Sequence, residues 1–152
     1  MRLKIPPAIL GLVFLLAMVA LAQLLPGWRM GLGPVLRGAV AVVLATASTW
    51  VAVAAILQFQ RERTTVDPLH PDRASMLVTW GIFAWSRNPM YLGFVGTLLA
   101  VAVWLDQLLA VLLAVVFALV LQKLQIEPEE RLLEERFGET YREYRRRVRR
   151  WL

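Results

Sequence analysis

Two short polar segments interrupt an apolar sequence, and their residue types could bind a charged ligand. The first, SRNPMYLG, contains Arg87 and Tyr91, a permanent cation and an aromatic hydroxyl. The second, EPEERLL, contains the adjacent carboxylates Glu129 and Glu130. Paired carboxylates near arginines indicate a site for a cationic ligand group. They indicate equally well the start of a helix, where acidic residues interact favourably with the helix dipole.

The elements that position these segments are predicted from the distribution of charge. Asp, Glu, Lys and Arg are absent from four stretches, 5–28, 38–60, 88–105 and 107–122. A helix needs roughly 20 residues to cross the hydrocarbon core of a bilayer. We therefore expect an all-α, polytopic membrane protein, a single domain over 1–152, with four transmembrane helices. Their predicted bounds are 6–25, 36–58, 89–105 and 107–124.

The last two predicted helices are short and form a hairpin that turns at Asp106. They span the bilayer only if Trp104 and Lys123 reach to the interface or the bilayer thins locally. Pro89 suits the first turn of the third helix, with Ser86 or Asn88 as its cap.

A loop at 59–88 and a charged tail complete the predicted architecture. In the loop, Met76 to Trp85 is interpreted as a short helix or extended segment at the headgroup level. The tail, 127–151, is predicted to be one amphipathic helix, because its apolar residues recur every three or four positions. These residues are Leu133, Phe137, Tyr141, Tyr144, Val148 and Trp151.

The arginines predict the orientation. They concentrate in the 59–88 loop and in the tail, so the positive-inside rule places both termini and this loop in the cytoplasm. We expect an integral protein of a bacterial-type inner or plasma membrane. The first helix also matches a cleaved signal peptide, with a basic start and an Ala-Leu-Ala step before Gln23, and this alternative stays open.

Composition excludes several classes of function. The chain has no cysteine, which excludes disulfides and thiol nucleophiles, and its one histidine, His70, predicts a solvated loop side chain rather than a metal ligand. We expect no metal site. The net charge of +6 is accounted for by membrane topology and by anionic lipid, so we expect the bilayer as a partner and no nucleic acid.

The two polar segments together resemble the integral-membrane methyltransferases of the isoprenylcysteine carboxyl methyltransferase and phospholipid methyltransferase group. In that group an R-(H/N)-P-x-Y-x-G segment and a later E-E-x-x-L-x-x-x-F-G-x-x-Y-x-x-Y segment form the S-adenosylmethionine site. Asn88 stands where the isoprenylcysteine enzymes usually have His. The matching positions are Arg87, Asn88, Pro89, Tyr91 and Gly93, then Glu129, Glu130, Leu133, Phe137, Gly138, Tyr141 and Tyr144.

The resemblance implies methyl transfer from S-adenosylmethionine, the implied cofactor, to a lipidic or small apolar acceptor at the cytoplasmic membrane face. An isoprenylcysteine-like carboxylate is the first expectation, and a phospholipid amine or a thiol is the alternative. Arg87 and Glu130 are the expected catalytic residues. The expected cofactor-binding residues are Asn88, Pro89, Tyr91, Gly93, Glu129, Glu130 and Tyr141.

Two other functions remain open from the sequence. A membrane reductase that uses NADPH has a similar architecture, and a non-enzymatic protein could use the basic tail to dock on lipid. For single residues, structural roles compete as well: Arg87 could bind a lipid phosphate, and Tyr91 could anchor a helix at the interface.

Overall fold

The computed structural model describes residues 6–61 and 76–152, so Arg2, Lys4, His70 and the middle of the predicted 59–88 loop lie outside the described residues. Within these described ranges, five α-helices follow one another. They are α1 Pro7–Leu24, α2 Pro34–Arg61, α3 Pro89–Trp104, α4 Leu108–Leu121 and α5 Glu127–Arg147. A 3₁₀ turn, Gly81–Ala84, precedes α3, and a π-helical turn, Gln122–Ile126, joins α4 to α5.

This is the predicted all-α membrane-type fold. By length and composition, α1, α2 and the helical run that begins at Leu108 are long and apolar enough to cross a membrane. Helix α3 is apolar but has 16 residues, about 24 Å at 1.5 Å per residue. The apolar outer faces of α1 and α2 are exposed, as expected for helices that contact lipid.

Proline marks the start of the helices, since it has no amide hydrogen and its φ suits the first helical turn. Pro7, Pro34 and Pro89 are the first residues of α1, α2 and α3. Asn88 occupies the position before α3, as predicted, but neither its side chain nor any other makes a capping hydrogen bond to this helix.

Helices α2 and α3 approach closely because α3 has glycine at the contact. A Cβ on Gly93 would lie 2.7 Å from Ala52 Cβ and 2.9 Å from the Ser48 carbonyl oxygen. Gly96 lies against the Ser48 side chain. On its other side, α3 packs with α1 and α4 around a core that contains Phe117.

The turn between α3 and α4 is held by the loop between α1 and α2. Asp106 adopts a left-handed φ of 54°, a conformation that Asp tolerates better than most residues. Its backbone oxygen accepts from Met30 N at 3.1 Å, and its Oδ1 accepts from Leu32 N at 3.1 Å. The two loops therefore form one unit at this end of the bundle.

The tail differs from the single amphipathic helix predicted over 127–151. Gly138 has φ 53° and ψ −124°, which breaks α5, and the helix ends at Arg147. Ion pairs then join residues far apart in sequence: Glu134 Oε1 lies 2.9 Å from Arg142 Nε, and Glu134 Oε2 lies 3.2 Å from Arg145 Nη1. Because helical neighbours are only three or four residues apart, α5 is a hairpin whose second arm folds back on the first.

The fold-back returns the segment that follows α5, 148–152, to the bundle. Trp151 packs against the main core, and its Nε1 donates to Gln122 Oε1 at 3.3 Å. Tyr144 donates through its hydroxyl to the Phe83 carbonyl at 2.7 Å. The 148–152 segment thus lies across the end of the bundle at which α3 begins and α4 ends.

Candidate active site

The two polar segments singled out in the sequence meet at this end of the bundle. Arg87, just before α3, and Glu130, in the first turns of α5, form a buried ion pair with Nη2 to Oε1 at 2.9 Å. Both side chains are only 8% exposed. Burial of two charges is costly unless each is well paired, so this contact fixes the start of α3 relative to α5.

Glu130 has a second cationic partner that the sequence did not single out. Arg150 Nε donates to Glu130 Oε1 at 3.1 Å, and Arg150 Nη2 donates to Oε2 at 2.7 Å. This two-pronged geometry is the strong form of an arginine–carboxylate contact, and it raises the pKa of Arg150 above its usual value. Both oxygens of Glu130 are therefore engaged by guanidinium groups.

The 148–152 segment also binds the start of α3 through its backbone. Arg87 N donates to the Arg149 carbonyl at 3.1 Å, and Asn88 Nδ2 donates to the Arg150 carbonyl at 2.9 Å. Ser86 Oγ accepts from Asn88 N at 3.1 Å. The Asn88 side chain, predicted to bind the cofactor, is thus engaged in holding this segment.

Arg87 is not fully satisfied by these contacts. Within the described part of the chain, its Nε and Nη1 are buried and have no hydrogen-bond partner. Unpaired buried donors are rare, and each costs about 1–3 kcal/mol. These two nitrogens carry three N–H bonds, donors of the kind that carboxylates and phosphates bind.

Glu129 has the opposite character to its neighbour. Its Oε1 accepts a hydrogen bond from the hydroxyl of Tyr91 on α3, and no cationic partner is found for it among residues 6–61 and 76–152. Burial raises the pKa of Glu129 to about 8, helped by the charge of Glu130 and opposed by the Tyr91 hydrogen bond. A cation that binds beside this half-buried carboxyl group would lower its pKa and favour the ionised form.

The third carboxylate of this cluster is more exposed. Glu127 binds Lys123 Nζ at 3.0 Å and lies 3.9 Å from Arg150. The hydrogen bond from Lys123 lowers the pKa of Glu127. Glu127 therefore belongs to the rim of the site, and among the described residues Glu129 is the carboxylate of this cluster that lacks a positive partner.

The aromatic residues divide between the interior and the surface. Tyr141 is fully buried beside Tyr144, with ring centroids 6.2 Å apart, and burial raises the pKa of both hydroxyls. Trp85, the last residue of the segment predicted at the headgroup level, is 77% exposed. Tyr91 is the aromatic residue that contacts a site carboxylate directly.

Pro89 and Gly93 have structural roles. Pro89 begins α3, and Gly93 faces α2 through its contacts with Ser48 and Ala52. Their predicted contact with the cofactor, and that of Tyr141, stays a prediction. No group of three or more His, Asp or Glu that could hold a metal occurs in the described ranges.

Fold and site together define an all-α, membrane-type protein with a cluster of charged side chains at the end of the bundle where α3 begins and α4 ends. Residues 36–140 match the family model described as phospholipid methyltransferase. The match covers more than half of the sequence, and the chain belongs to this family of methyltransferases.

A second comparison gives a relative of unknown function. The chain is 48% identical over 63 residues to an uncharacterized protein of Haemophilus influenzae, a stretch that covers 41% of this chain and 100% of that protein. No solved structure matches the chain.

Proposed function

We propose that the protein transfers a methyl group from S-adenosylmethionine to the headgroup of a membrane lipid. One observation carries the proposal: in the part of the chain that the structure describes, two nitrogens of the buried Arg87 guanidinium lack a hydrogen-bond partner, and the half-buried carboxyl group of Glu129 on α5 lacks a cationic partner. The cofactor carries the complementary charges, a carboxylate and an ammonium on its methionine part and a positive sulfonium.

The residues fit this ligand by charge. Arg87, through either Nε or Nη1, would bind the cofactor carboxylate, and Glu129 would stabilise the positive charge near the transferred methyl. Glu130 would act through Arg87, because its two oxygens already bind the guanidiniums of Arg87 and Arg150. Glu130 is therefore a positioning residue in this proposal.

Methyl transfer from a sulfonium needs no protein nucleophile, so the chain contributes binding, orientation and exclusion of water. Holding two reactants at attack distance is worth about 7–11 kcal/mol in the best intramolecular cases. The 148–152 segment covers the Arg87–Glu130 pair and supports this exclusion. The acceptor would enter from the bilayer, which the apolar surfaces of α1 and α2 contact.

The family match favours a phospholipid acceptor over the isoprenylcysteine-like carboxylate that was the first expectation from sequence. A carboxylate acceptor is the second candidate, in which Arg87 would bind the acceptor instead of the cofactor carboxylate. The arginine-rich tail on this end of the bundle supports a cytoplasmic orientation of the site.

Calorimetry of the purified protein in detergent tests the proposal. S-adenosylmethionine and S-adenosylhomocysteine are expected to bind with micromolar affinity, and NADPH is expected not to bind. Glu130→Gln should abolish binding, because it removes one charge from the buried pair with Arg87. Glu135→Gln is the control, since it makes the same change at an exposed position of α5.

Each outcome separates the functions considered. Binding of NADPH alone would replace the methyltransferase by a reductase. Absence of binding by any of the three ligands, in protein with a cooperative thermal transition, would favour a lipid-docking function for the basic tail.

A further inference from the structure

We infer that the side chains of Arg147 and Arg149 bind the phosphate groups of anionic phospholipids and thereby hold the 148–152 segment over the Arg87–Glu130 pair. The lipid-binding surface is separate from the proposed cofactor site. The effect of the lipid on that site rests on the proposed function and adds to it a regulation by membrane charge.

Arg147 and Arg149 differ from the arginines just before them in having no acidic partner. Arg145 and Arg146 each bind a glutamate of α5, at 3.2 Å and 2.7 Å. Arg147 and Arg149 are exposed, and neither forms an ion pair with another residue in the described ranges. Their charges are therefore available to an external anion.

The backbone places these two side chains on the same face. Val148, between them, has φ −117° and ψ 131°, an extended conformation. Its side chain is buried against Tyr141 and Tyr144. Because successive side chains of an extended chain point to opposite faces, Arg147 and Arg149 lie together on the outer side of the segment.

The segment lies at the depth of lipid headgroups. Its Arg149 carbonyl accepts from Arg87 N at 3.1 Å, two residues before α3 begins at Pro89. Helix α3, which is predicted to cross the bilayer, has 16 residues and is about 24 Å long, less than the roughly 30 Å of hydrocarbon. The start of α3 is therefore close to the lipid phosphates, and arginine side chains extend further towards them.

Exposed tryptophans beside the segment fit this depth, since tryptophan is enriched at the membrane–water interface. Trp80 is 53% exposed, and Trp85 is more exposed still. Trp85 precedes Ser86, whose hydroxyl donates to the Arg150 carbonyl at 3.4 Å. Arginines next to interfacial tryptophans are complementary to anionic headgroups, because a guanidinium can bind a phosphate through two parallel hydrogen bonds.

The 148–152 segment connects this surface with the proposed cofactor site. The Arg149 carbonyl holds the backbone of Arg87, and the Arg150 side chain binds both oxygens of Glu130. A lipid bound to the Arg149 side chain restrains the residue whose carbonyl contacts Arg87. Anionic lipid should therefore stabilise the arrangement of Arg87 and Glu130 that is proposed to bind the cofactor.

Two double variants that remove the same charge test the surface. Arg147→Gln/Arg149→Gln removes the arginines without acidic partners. The control, Arg145→Gln/Arg146→Gln, removes neighbouring arginines that are paired within the tail. Arg142 binds the same two glutamates as the control arginines, so the hairpin of α5 should persist in the control.

Native mass spectrometry measures lipid binding by the purified proteins in detergent with equal concentrations of phosphatidylglycerol and phosphatidylcholine. One arginine near an anionic surface contributes about fivefold to association, so we expect a preference for phosphatidylglycerol of about tenfold or more in the unaltered protein and in the control. Arg147→Gln/Arg149→Gln should lose most of this preference. No preference in the unaltered protein, or an equal loss in both double variants, would overturn the assignment of these arginines.

Calorimetry with S-adenosylhomocysteine measures the effect of the lipid on the site. This ligand has no net charge, so an anionic membrane does not concentrate it. In nanodiscs that contain phosphatidylglycerol, the unaltered protein should bind it at least about fivefold more tightly than in phosphatidylcholine alone, the lower range of coupling between two sites. Arg147→Gln/Arg149→Gln should show no such gain, and in phosphatidylcholine alone it should bind as the unaltered protein does.

The two measurements fail separately. Equal affinity of the unaltered protein for S-adenosylhomocysteine in both membranes would overturn the regulation of the site by lipid. Absence of S-adenosylhomocysteine binding in either membrane would overturn the proposed function and this regulation with it. In that case the preference for phosphatidylglycerol still decides whether Arg147 and Arg149 bind anionic lipid.

Discussion

The hydroxyl of Tyr91, in the first turn of α3, donates a hydrogen bond to the carboxylate of Glu129, in the first turn of α5. This contact joins the two polar segments of the sequence independently of the Arg87–Glu130 ion pair. The Tyr91–Glu129 contact includes a neutral hydroxyl, whereas the Arg87–Glu130 contact joins two opposite charges. The two contacts therefore respond differently to pH.

The stability of the ligand-free protein is predicted to fall as pH rises towards 8. The pKa of Glu129 is raised from 4.5 to about 8, so the folded protein binds this proton more tightly than the unfolded chain. The stabilisation of the folded protein by this Glu129 proton is complete below about pH 4.5 and is lost as pH rises through about 8. Thermal unfolding, measured in one detergent over this pH range, should show stability falling with pH. In Glu129→Gln stability should depend less on pH. Parallel curves for the two proteins would contradict the raised pKa.

Arg150 is predicted to be necessary for cofactor binding, and Arg149 is not. Arg150→Gln removes both hydrogen bonds to Glu130, and losing one partner of a buried pair costs about 3–5 kcal/mol. Because Arg150 is partly exposed, we expect about 1–3 kcal/mol in stability and at least tenfold in affinity for S-adenosylhomocysteine. Arg149→Gln is the matched control, since its side chain is exposed. Equal losses in both variants would indicate a general effect of charge.

Gly138→Ala is predicted to open the hairpin of α5. A Cβ at this position meets nothing within 4 Å, so the cost is confined to the backbone, whose φ of 53° and ψ of −124° suit glycine. Such conformations cost other residues about 1–3 kcal/mol. We expect weaker ligand binding and faster proteolysis in the tail. Gly27→Ala, also with nothing within 4 Å and without a positive φ, should have no such effect.

Gly93→Ala is predicted to be more disruptive than Gly96→Ala. The added methyl at position 93 meets the Ala52 Cβ and the Ser48 backbone oxygen, neither of which can move without separating α2 from α3. At position 96 it meets mainly the Ser48 hydroxyl, which can rotate away. Overpacking of this kind costs typically 1–3 kcal/mol, and thermal unfolding measures it. A larger loss of stability in Gly96→Ala than in Gly93→Ala would show that α2 and α3 adjust as rigid bodies.

The orientation of the chain can be tested with single cysteines, because the sequence contains none. Gly27→Cys and Thr140→Cys place thiols at exposed positions on opposite ends of the bundle. If the site faces the cytoplasm, a membrane-impermeant maleimide should label Gly27→Cys in intact cells and Thr140→Cys only after lysis. Labelling in the opposite order would place the site outside.

The helices were predictable from the sequence because charge-free runs bounded by proline leave few alternatives in a membrane. The first helix was predicted at 6–25 and occupies Pro7–Leu24, and the third begins at Pro89, as predicted. The number of spans stays a prediction, since α3 is shorter than the length usually needed to cross.

The hairpin in α5 was not predictable in the same way. The apolar spacing of three or four residues continues across Gly138, so periodicity alone indicates one helix. The ion pairs of Glu134 with Arg142 and Arg145, and of Glu130 with Arg150, favour the fold-back, and these depend on tertiary structure. A glycine within the pattern was the one available signal.

Site residues were only partly predictable for a related reason. Glu129 and Glu130 are adjacent, and successive residues on a helix point about 100° apart, so one meets Tyr91 and the other meets Arg87. Spacing cannot assign these partners. Arg150 is one of eight arginines in the tail. Which of these arginines pairs with Glu130 depends on where the fold-back of α5 places the 148–152 segment.

The return of the 148–152 segment has a consequence for how the protein is made. The Asn88 side chain binds the Arg150 carbonyl across 62 residues of sequence, so the ribosome must synthesise and release all of α3, α4 and α5 before the contact can form. Helix insertion therefore precedes completion of the site. A nascent chain halted after α4 would already reside in the bilayer but would lack every carboxylate of the site, which separates biogenesis into an insertion stage and a later assembly stage.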